Sequence, residues 1–288
     1  MENVIGIDLG GTNVKAALVT KKGKIIKRYE TATEAKKGAK RVIDNIISAI
    51  NEVKSGKISG IGIGSPGPMD YKNSIITNPV NLPFRNVPVK KIIQKKFSLP
   101  VLLDNDAKCF TLAEAVFGQG KKYENVVGIT LGTGFGCGLV VNKKIYHGRS
   151  NATEFGHATI DYDGIKSKSR NNGSIEEYVS TRGITGLFDN KTEPKEIYHL
   201  ALRGNKKAIL AYKKMGYYLG IGLANIIYAF DPDIIIVGGK ISNSWKFFSK
   251  AMHKTVKERY FSKPCRIVKS NLKDGGILGA ASLVLESR

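Results

Sequence analysis

The sequence has little cysteine, a single tryptophan and no long apolar run. Its three cysteines, Cys109, Cys137 and Cys265, are odd in number and far apart, which does not suit a disulfide framework. They predict buried thiols in a reducing cytoplasm. No apolar stretch reaches the roughly 20 residues of a membrane-spanning helix, and the chain enters a strand without a signal peptide before it. We therefore expect a cytoplasmic protein that does not bind membranes.

Acidic residues are also scarce, with 24 Asp and Glu against 46 Lys and Arg and a formal net charge of +22. Such a charge is typical of proteins that bind nucleic acid. However, the lysines are scattered, never more than two in a row, and form no basic helix or aromatic-studded basic loop. We expect no nucleic-acid partner. Two interpretations remain: a field that attracts polyanionic substrates such as nucleotides, or a general bias of the source proteome toward lysine.

Two glycine-rich turns, each between apolar strands, are the strongest local signals. The first is Asp8-Leu9-Gly10-Gly11-Thr12, and the second is Leu131-Gly132-Thr133-Gly134. Glycine lets the backbone approach a ligand closely and leaves N–H groups to face it. A hydroxyl and a carboxylate beside such a turn suit a phosphate and its magnesium ion. An ordinary hairpin turn is the alternative for either one alone, but the pair predicts two half-sites that grip one polyphosphate.

The spacing of apolar residues predicts a mixed α/β chain with an internal repeat. The length of 288 residues fits two domains. Strand and helix patterns follow each other twice, which predicts crossover connections and a fold repeat. The strand at Ile58 to Gly64 alternates isoleucine with glycine and is therefore expected to lie close to another element. The predicted elements of the first half are three strands within 3–30, a helix at 35–53, a strand at 58–64, a helix at 89–97, a strand at 100–103 and a helix at 107–117.

The second half repeats the pattern. We predict a small N-terminal domain over residues 1–106, joined by a terminal helix at 275–288, and a large domain over 107–274. The predicted elements of the second half are two strands within 126–141, a third from 144, a helical start at 175–180, helices at 195–200 and 206–230, a strand at 233–237, a helix at 245–258, a strand at 265–269 and a helix at 276–285.

Taken together, the motifs resemble the ROK family (repressor, open reading frame, kinase) of the actin-like ATPase superfamily, over nearly the whole chain. Any one glycine turn is weak evidence, whereas six motifs in the right order are specific. The motifs are Asp8-Leu9-Gly10-Gly11-Thr12, Asn105-Asp106-Ala107, Leu131-Gly132-Thr133-Gly134, Glu154-Phe155-Gly156-His157, Ile175-Glu176 and Val237-Gly238-Gly239. The resemblance implies a two-domain actin-like, ribonuclease H-like α/β fold, with the sugar in a cleft between the domains.

The resemblance also implies a nucleotide site for ATP and Mg²⁺. Each of its parts is a strand-end turn that offers N–H groups or a hydroxyl, which agrees with the needs of a charged polyphosphate. In this interpretation Asp8 helps to hold Mg²⁺. The residues expected to contact ATP are Asp8, Gly10, Gly11, Thr12, Lys15, Thr133, Gly134, Gly238 and Gly239.

Asp106 is the residue that we predict to be the catalytic base. Phosphoryl transfer to a sugar requires a group that accepts the proton of the attacking hydroxyl, and a carboxylate at the end of a strand can reach it. Asp104, two residues earlier on the extended chain, is the rival carboxylate. By spacing, Asp106 also has the position of an N-cap for the next helix. Asn105 resembles the family residue that hydrogen-bonds the sugar.

The sugar-orienting residues that the resemblance implies are polar groups that can pair with hydroxyls. His147, His199 and His253 have no such motif and are interpreted as structural or exposed. The predicted substrate-binding set is Ser65, Gly67, Asn81, Asn105, Asp106, Glu154, His157 and Glu176.

One departure from the family concerns zinc. Many members carry three cysteines after the motif histidine, which together with it bind a structural zinc ion. Here the corresponding residues are Ser167, Ser169 and Ser174, and hydroxyls are poor zinc ligands. We predict no zinc site, so hydrogen bonds or packing must hold residues 158–175. Asn13, where relatives often have lysine, and Lys108, where asparagine is common, are two further departures.

These observations predict an ATP-dependent hexokinase, most simply a glucokinase, with Asp106 as base. The alternatives are an N-acetylmannosamine or other amino-sugar kinase, a fructokinase and a polyphosphate-dependent glucokinase. A sugar-responsive transcriptional regulator is the alternative outside enzymes. We consider it weaker because only three residues precede Val4, where a DNA-binding helix-turn-helix is expected. A homodimer is expected from the resemblance.

Overall fold

The structure is a computed structural model that describes residues 2–167 and 171–287. Lys168, Ser169 and Arg170 lie outside the described residues, so the predicted role of Ser169 is not addressed. The strands are β1 (Asn3–Leu9), β2 (Asn13–Val19), β3 (Ile25–Ala32), β4 (Ile58–Ser65), β5 (Met69–Asp70), β6 (Ile75–Ile76), β7 (Val101–Asn105), β8 (Asn125–Leu131), β9 (Phe135–Val141), β10 (Lys144–Ile145), β11 (Ile234–Gly238) and β12 (Arg266–Lys269).

Helices cover most of the segments that the apolar spacing predicts. They are α1 (Ala39–Val53), α2 (Val89–Phe97), α3 (Asp106–Val116), α4 (Glu176–Val179), α5 (Thr181–Phe188), α6 (Pro194–Leu202), α7 (Lys206–Phe230), α8 (Trp245–Arg259) and α9 (Gly275–Leu285). Among the residues described above, no helix combines the length and the apolar character needed to cross a bilayer.

Two five-stranded sheets share one strand order, which confirms the predicted repeat. The first sheet has the order β3-β2-β1-β4-β7, and the second has the order β10-β9-β8-β11-β12. In each sheet, antiparallel strands lie at one edge and three parallel strands complete the sheet. The parallel strands are β1, β4 and β7 in the first sheet and β8, β11 and β12 in the second. The carboxyl ends of parallel strands meet at one edge of a sheet, which gathers the turns after β1, β4 and β7.

The glycine-rich strand β4 does lie close to another element, as its sequence predicts. A β-carbon at Gly62 would collide with the backbone of Ala280 in α9, and one at Gly6 in β1 would collide with the carbonyl of Ile277. Glycine at these positions therefore lets α9 pack directly on the sheet. On the other face, α1 buries Val42, Ile46, Ala49, Ile50 and Val53 against β1, β2 and β3.

The chain divides into two compact units. The first comprises residues 1–124, 138–152 and 271–288, and the second comprises 125–137 and 153–270. In the second unit, α7 packs along α8, and β11 is buried along its whole length. The predicted domain boundary after Asp106 stays a prediction.

Three local features differ from the sequence expectations. The N-cap of α3 is Asn105 rather than Asp106: the Asn105 side chain accepts hydrogen bonds from Ala107 N and Lys108 N, and Asp106 is the first helical residue. Helix α5 and the β5–β6 hairpin have no counterpart in the predicted elements. The two-residue strands of the hairpin are too short to show an apolar period. Helix α5 has Ile184, Leu187 and Phe188 at helical spacing, but its two glycines disfavour a helix prediction.

Candidate active site

The first glycine turn connects β1 to β2 in the first unit. The N–H group of Gly10 donates to the carbonyl of Asn13 at 2.9 Å, which closes the turn. Thr33 braces it from outside, since its hydroxyl donates to Gly10 O at 2.6 Å and its N–H group donates to Thr12 O at 2.7 Å. The Thr12 side chain is exposed. The turn is thus held by its neighbours and presents its hydroxyl to solvent.

Asp8 lies directly before this turn, opposite Lys15 in the β1–β2 register. Burial raises the pKa of the Asp8 carboxyl above its usual range, and the nearby Lys15 ammonium opposes that effect. A β-carbon at Gly276 would lie 2.7 Å from the Asp8 carboxylate, so glycine there leaves room for the acid. A partly desolvated carboxylate with space around it fits a site for a hard cation, which binds oxygen ligands.

The loop after β6 contacts the same turn. A β-carbon at Gly11 would lie 2.8 Å from the β-carbon of Asn81, whose side chain is exposed. Asn81 and the Gly10–Thr12 turn are therefore neighbours, as a joint site requires. Ser65 differs: it is fully buried, and its hydroxyl donates to the Pro66 carbonyl at 3.2 Å. Its predicted contact with substrate stays a prediction.

Asn105 and Asp106 stand at the junction of β7 and α3. Asn105 pairs with Ser65 in the β4–β7 register, and its amide nitrogen lies 3.6 Å from the place of a β-carbon on Gly67. Asp106 is half-buried, and its Oδ1 accepts from Ala107 N at 2.8 Å. The structure thus brings together Ser65, Gly67, Asn105 and Asp106. The carboxylate stands directly after a partly buried strand, where a base can be held in one orientation.

Asp104, the rival carboxylate, is engaged elsewhere. It is 4% exposed, its Oδ1 accepts from Asn105 N at 2.7 Å, and its Oδ2 lies 2.7 Å from His147 Nε2. A buried acid with both oxygens paired is a poor candidate for a proton acceptor from substrate. The interpretation of His147 as structural or exposed did not include this pair with Asp104, because no local motif marks a contact between residues so far apart in the sequence.

The second glycine turn connects β8 to β9 in the second unit. Gly132 N donates to Gly134 O at 3.0 Å, and Thr133 is exposed. Glu176, at the start of α4, supports the turn from behind because its Oε2 accepts from Phe135 N at 2.9 Å. A β-carbon at Gly134 would lie 2.5 Å from the same oxygen. The predicted phosphate turn and a predicted sugar residue are therefore in contact.

Glu154 precedes a short 3-10 helix, Phe155–His157, and His157 is its last residue; both side chains are exposed. The helix touches the same region, since a β-carbon at Gly156 would lie 2.6 Å from the Phe135 carbonyl and 3.6 Å from Glu176 Oε2. Glu154, His157 and Glu176 thus belong to one neighbourhood of the second unit. Their polar groups can serve hydroxyl recognition.

Hydrogen bonds hold the described part of the loop at residues 158–175, which contains the serines at the zinc-ligand positions. Ser167 Oγ donates to Glu177 Oε1 at 2.8 Å, Arg182 forms an ion pair with the same buried carboxylate, and Asn171 Nδ2 donates to the His157 carbonyl at 2.9 Å. The Ser174 hydroxyl is buried and has no hydrogen-bond partner among residues 2–167 and 171–287. Within residues 2–167 and 171–287, no group of three or more His, Cys, Asp or Glu side chains is arranged to hold a metal ion.

Gly238 and Gly239 end β11 beside the second turn. Gly239 has a φ of +83°, which favours glycine, and a β-carbon there would collide with the Leu131 backbone. A cavity of about 620 Å³ adjoins this end. It is lined by Thr181, Lys195, Tyr198, Tyr212, Lys240 and Ser244, among others. Sequence reasoning missed these residues because they come from four separate segments and carry no motif.

Thr181 links the cavity to the second turn, because its N–H group donates to Gly132 O at 2.9 Å. The second unit therefore contains a continuous arrangement of a hydroxyl-bearing turn, a glycine strand end and an aromatic-lined cavity. That arrangement, with paired five-stranded sheets and a glycine turn after the first strand of each, defines the class as an actin-like ATPase fold.

Comparison with known proteins identifies the family within that class. The sequence profile described as "ROK family" matches residues 4–287, so the chain belongs to the ROK family. It is 32% identical to a glucokinase of Thermotoga maritima over 308 aligned positions, covering 98% of this chain and 97% of that protein. It is 30% identical to the xylose repressor of Bacillus subtilis, covering 98% of this chain and 77% of that protein.

Solved structures agree with this assignment. The fold superimposes on a ROK family glucokinase from Streptomyces griseus, crystallised with glucose and AMPPNP, with a TM-score of 0.84 and 29% identity over 98% of both chains. It also superimposes on the ROK hexokinase of Thermus thermophilus with a TM-score of 0.83 and 27% identity. The predicted family, the α/β actin-like fold and the sugar-kinase class are confirmed. The chain is a sugar kinase of the ROK family.

Proposed function

We propose that the chain transfers the γ-phosphoryl group of ATP to a hydroxyl of a hexose, with glucose as the preferred acceptor. The observation that carries this proposal is the junction of β7 and α3, which presents the half-buried Asp106 carboxylate beside the Asn105 amide. Glucokinases among the relatives support glucose as the acceptor, and the AMPPNP bound in one of them supports ATP as the donor.

Asp106 is the proposed base. It accepts the proton of the hexose hydroxyl while the hydroxyl oxygen bonds to the γ-phosphorus, and the bond from that phosphorus to the β,γ-bridging oxygen breaks to release ADP. Asn105 uses its carbonyl oxygen to cap α3. Its amide NH₂ group is therefore the part of the side chain that donates to a sugar oxygen.

Hexose recognition is assigned to five polar side chains that are exposed or half-buried: Asn81, Asn105, Glu154, His157 and Glu176. Carboxylates accept from sugar hydroxyls, and a site built to pair a hydroxyl rejects analogues that lack it. Glu176 also supports the second turn through Phe135 N, so we expect it to link sugar binding to phosphate binding.

The nucleotide is assigned to the two turns and the cavity. Thr12 and Thr133 offer exposed hydroxyls, and the turn N–H groups offer donors to phosphate oxygens. The cavity beside Gly239 has two tyrosine rings, which suit adenine, and two lysines, which suit phosphate. Asp8 would hold Mg²⁺, and the bound ion would offset the negative charge of the triphosphate.

Turnover measurements with a panel of donors and acceptors test the function. We expect ADP release with glucose and ATP, and weaker release with fructose, mannose, N-acetylmannosamine and glucosamine. Inorganic polyphosphate in place of ATP tests the donor that the net charge of +22 suggested. If no sugar is phosphorylated with either donor, the catalytic proposal is wrong, and sugar binding without turnover would favour a regulator like the xylose repressors.

Substitution of Asp106 tests the mechanism. We expect Asp106→Ala to lower kcat by about 10³-fold or more, because general-base catalysis contributes on the order of 10² to 10⁴. Glucose affinity, measured by calorimetry, should change by less than about tenfold, since Asn105 and the second-unit groups remain.

Asp44→Ala, on the exposed face of α1, is the matched control and should behave as wild type. A wild-type kcat in Asp106→Ala would remove Asp106 as the base. Light scattering of the wild-type protein checks the homodimer, which stays a prediction.

A further inference from the structure

A partly buried polar cluster lies beside the Asn105–Asp106 turn, and the proposed chemistry does not use it. Its members are Asp104 in β7, Lys108 in α3, Tyr71 after β5, and His147 and Ser150 after β10. All of them belong to the first unit. Asp104 and Lys108 lie two residues before and two residues after Asp106.

Lys108 occupies an unfavourable position. It is 2% exposed, and burial of an ammonium group costs several kcal/mol unless it is paired. It also lies in the first turn of α3, where the helix dipole disfavours positive charge. Its Nζ donates to the Tyr71 hydroxyl at 3.1 Å and to the Ser150 carbonyl at 3.3 Å. These bonds tie the start of α3 to residues 147–150.

His147 makes a second connection, between residues 147–150 and the end of β7. Because a carboxylate only accepts, Nε2 carries the proton that is donated to Asp104 Oδ2 at 2.7 Å. The Tyr71 ring packs against the imidazole, with centroids 4.5 Å apart. Asp104 in turn accepts from Asn105 N at 2.7 Å. A chain of contacts therefore runs from His147 through Asp104 to the backbone of the residue that caps α3.

We propose that His147 and Lys108 are positioning residues that clamp segment 147–150 to the turn carrying Asn105 and Asp106. This inference rests on the proposed function, in which Asp106 is the base and Asn105 contacts the hexose. The clamp fixes the backbone on both sides of Asp106, so the carboxylate and the Asn105 amide keep one orientation. Misplacement of a reacting group by about 1 Å can cost about 10² in rate.

The test compares kinetic constants of substituted proteins. We expect His147→Ala to lower kcat by about 10- to 100-fold and to raise the KM for glucose, while the KM for ATP stays within about twofold. His147→Gln keeps an Nε2 donor and should recover most of the loss. Lys108→Met should likewise lower kcat and raise the KM for glucose while the KM for ATP stays within about twofold. Tyr71→Phe removes only the hydroxyl that accepts from Lys108 and should have a smaller effect.

A purely structural role would reduce the folded fraction and would leave both KM values unchanged. His253→Ala, on the exposed face of α8, is the control for loss of an imidazole. Wild-type kcat and glucose KM in folded His147→Ala and Tyr71→Phe would overturn the clamp while the kinase function stands.

If the wild-type protein phosphorylates no sugar, the proposed function fails and the clamp is judged by hydrogen exchange. The Asn105 and Ala107 amide protons should then exchange at least tenfold faster in His147→Ala. Unchanged protection would overturn the clamp independently of activity.

Discussion

The two glycine turns begin alike and are supported differently. Each follows an apolar strand that ends in leucine, and each presents an exposed threonine, Thr12 or Thr133. The first has a carboxylate immediately before it, Asp8, with Lys15 opposite. The second has Thr130 in the place of Asp8, and its carboxylate, Glu176, comes from a distant helix and supports the backbone at Phe135.

This difference indicates that the two turns have different roles. A carboxylate beside a turn can hold a cation that accompanies a phosphate, whereas a carboxylate behind a turn orients its N–H groups. We propose that the repeated hairpin supplies donors in both units and that the nearby acid determines whether a turn binds a metal or only the phosphate. Two substitutions test this interpretation.

The largest effect is expected at the first turn. Asp8→Asn removes the charge but keeps the shape, and we expect kcat/KM to fall by about 10²-fold or more, because metal charge stabilisation contributes several kcal/mol to phosphoryl transfer. The magnesium concentration for half-maximal rate should rise. Titration of activity with MgCl₂ at fixed ATP measures both.

Thr130→Val is the matched substitution before the second turn and should leave the magnesium dependence of the rate as in wild type. An equal rise of the half-maximal magnesium concentration in both variants would contradict the different roles of the two turns.

A smaller effect is expected from crowding the second turn. In Gly134→Ala the new methyl group would lie 2.5 Å from Glu176 Oε2, so the carboxylate must move and lose its bond to Phe135 N. We expect the free energy of unfolding to fall by about 1–3 kcal/mol and the glucose KM to rise. Thermal and urea unfolding, with steady-state kinetics, provide the measurements.

Gly132 offers the control in the same turn, since a β-carbon there meets no atom within 4 Å. Gly132→Ala should change stability by less than about 0.5 kcal/mol. If the two variants are equally stable, Glu176 is not the support that the geometry indicates.

The smallest effect concerns two half-buried acids, one in each unit. Hydrogen bonds from the side chains of Lys37 and then Arg41 lower the pKa of Glu34 from 4.5 to about 2. Hydrogen bonds from the Thr192 hydroxyl and then the Thr192 and Lys191 N–H groups lower the pKa of Asp189 from 3.8 to about 2. Both contributions to stability are present above the unfolded pKa and are lost as the pH falls toward 2.

Salt should separate these two acids. Charged partners are screened at about 0.5 M salt, whereas neutral N–H and hydroxyl donors are not. NMR titration should therefore show the pKa of Glu34 rising with salt and that of Asp189 nearly unchanged. Equal salt responses would show that the two acids are held by the same kind of interaction.

Much of the fold followed from periodicity and turn chemistry. The isoleucine–glycine alternation of β4 predicted a close neighbour, and α9 is that neighbour because its backbone fills the space that β-carbons would take. The N-cap of α3 was misassigned by one residue, since Asn105 and Asp106 are both good caps and only the backbone geometry separates them. Helix α5 was missed although its apolar residues recur at helical spacing, because Gly183 and Gly186 are weak helix formers.

Local patterns of residue type and spacing were sufficient to predict the family, the repeated hairpins and the acids near them. They did not indicate that Asp104 pairs with His147, that Lys108 is buried against Tyr71 and Ser150, or that an aromatic cavity adjoins Gly239. These features join residues tens of positions apart. No local preference specifies such pairs, since packing of whole elements selects them.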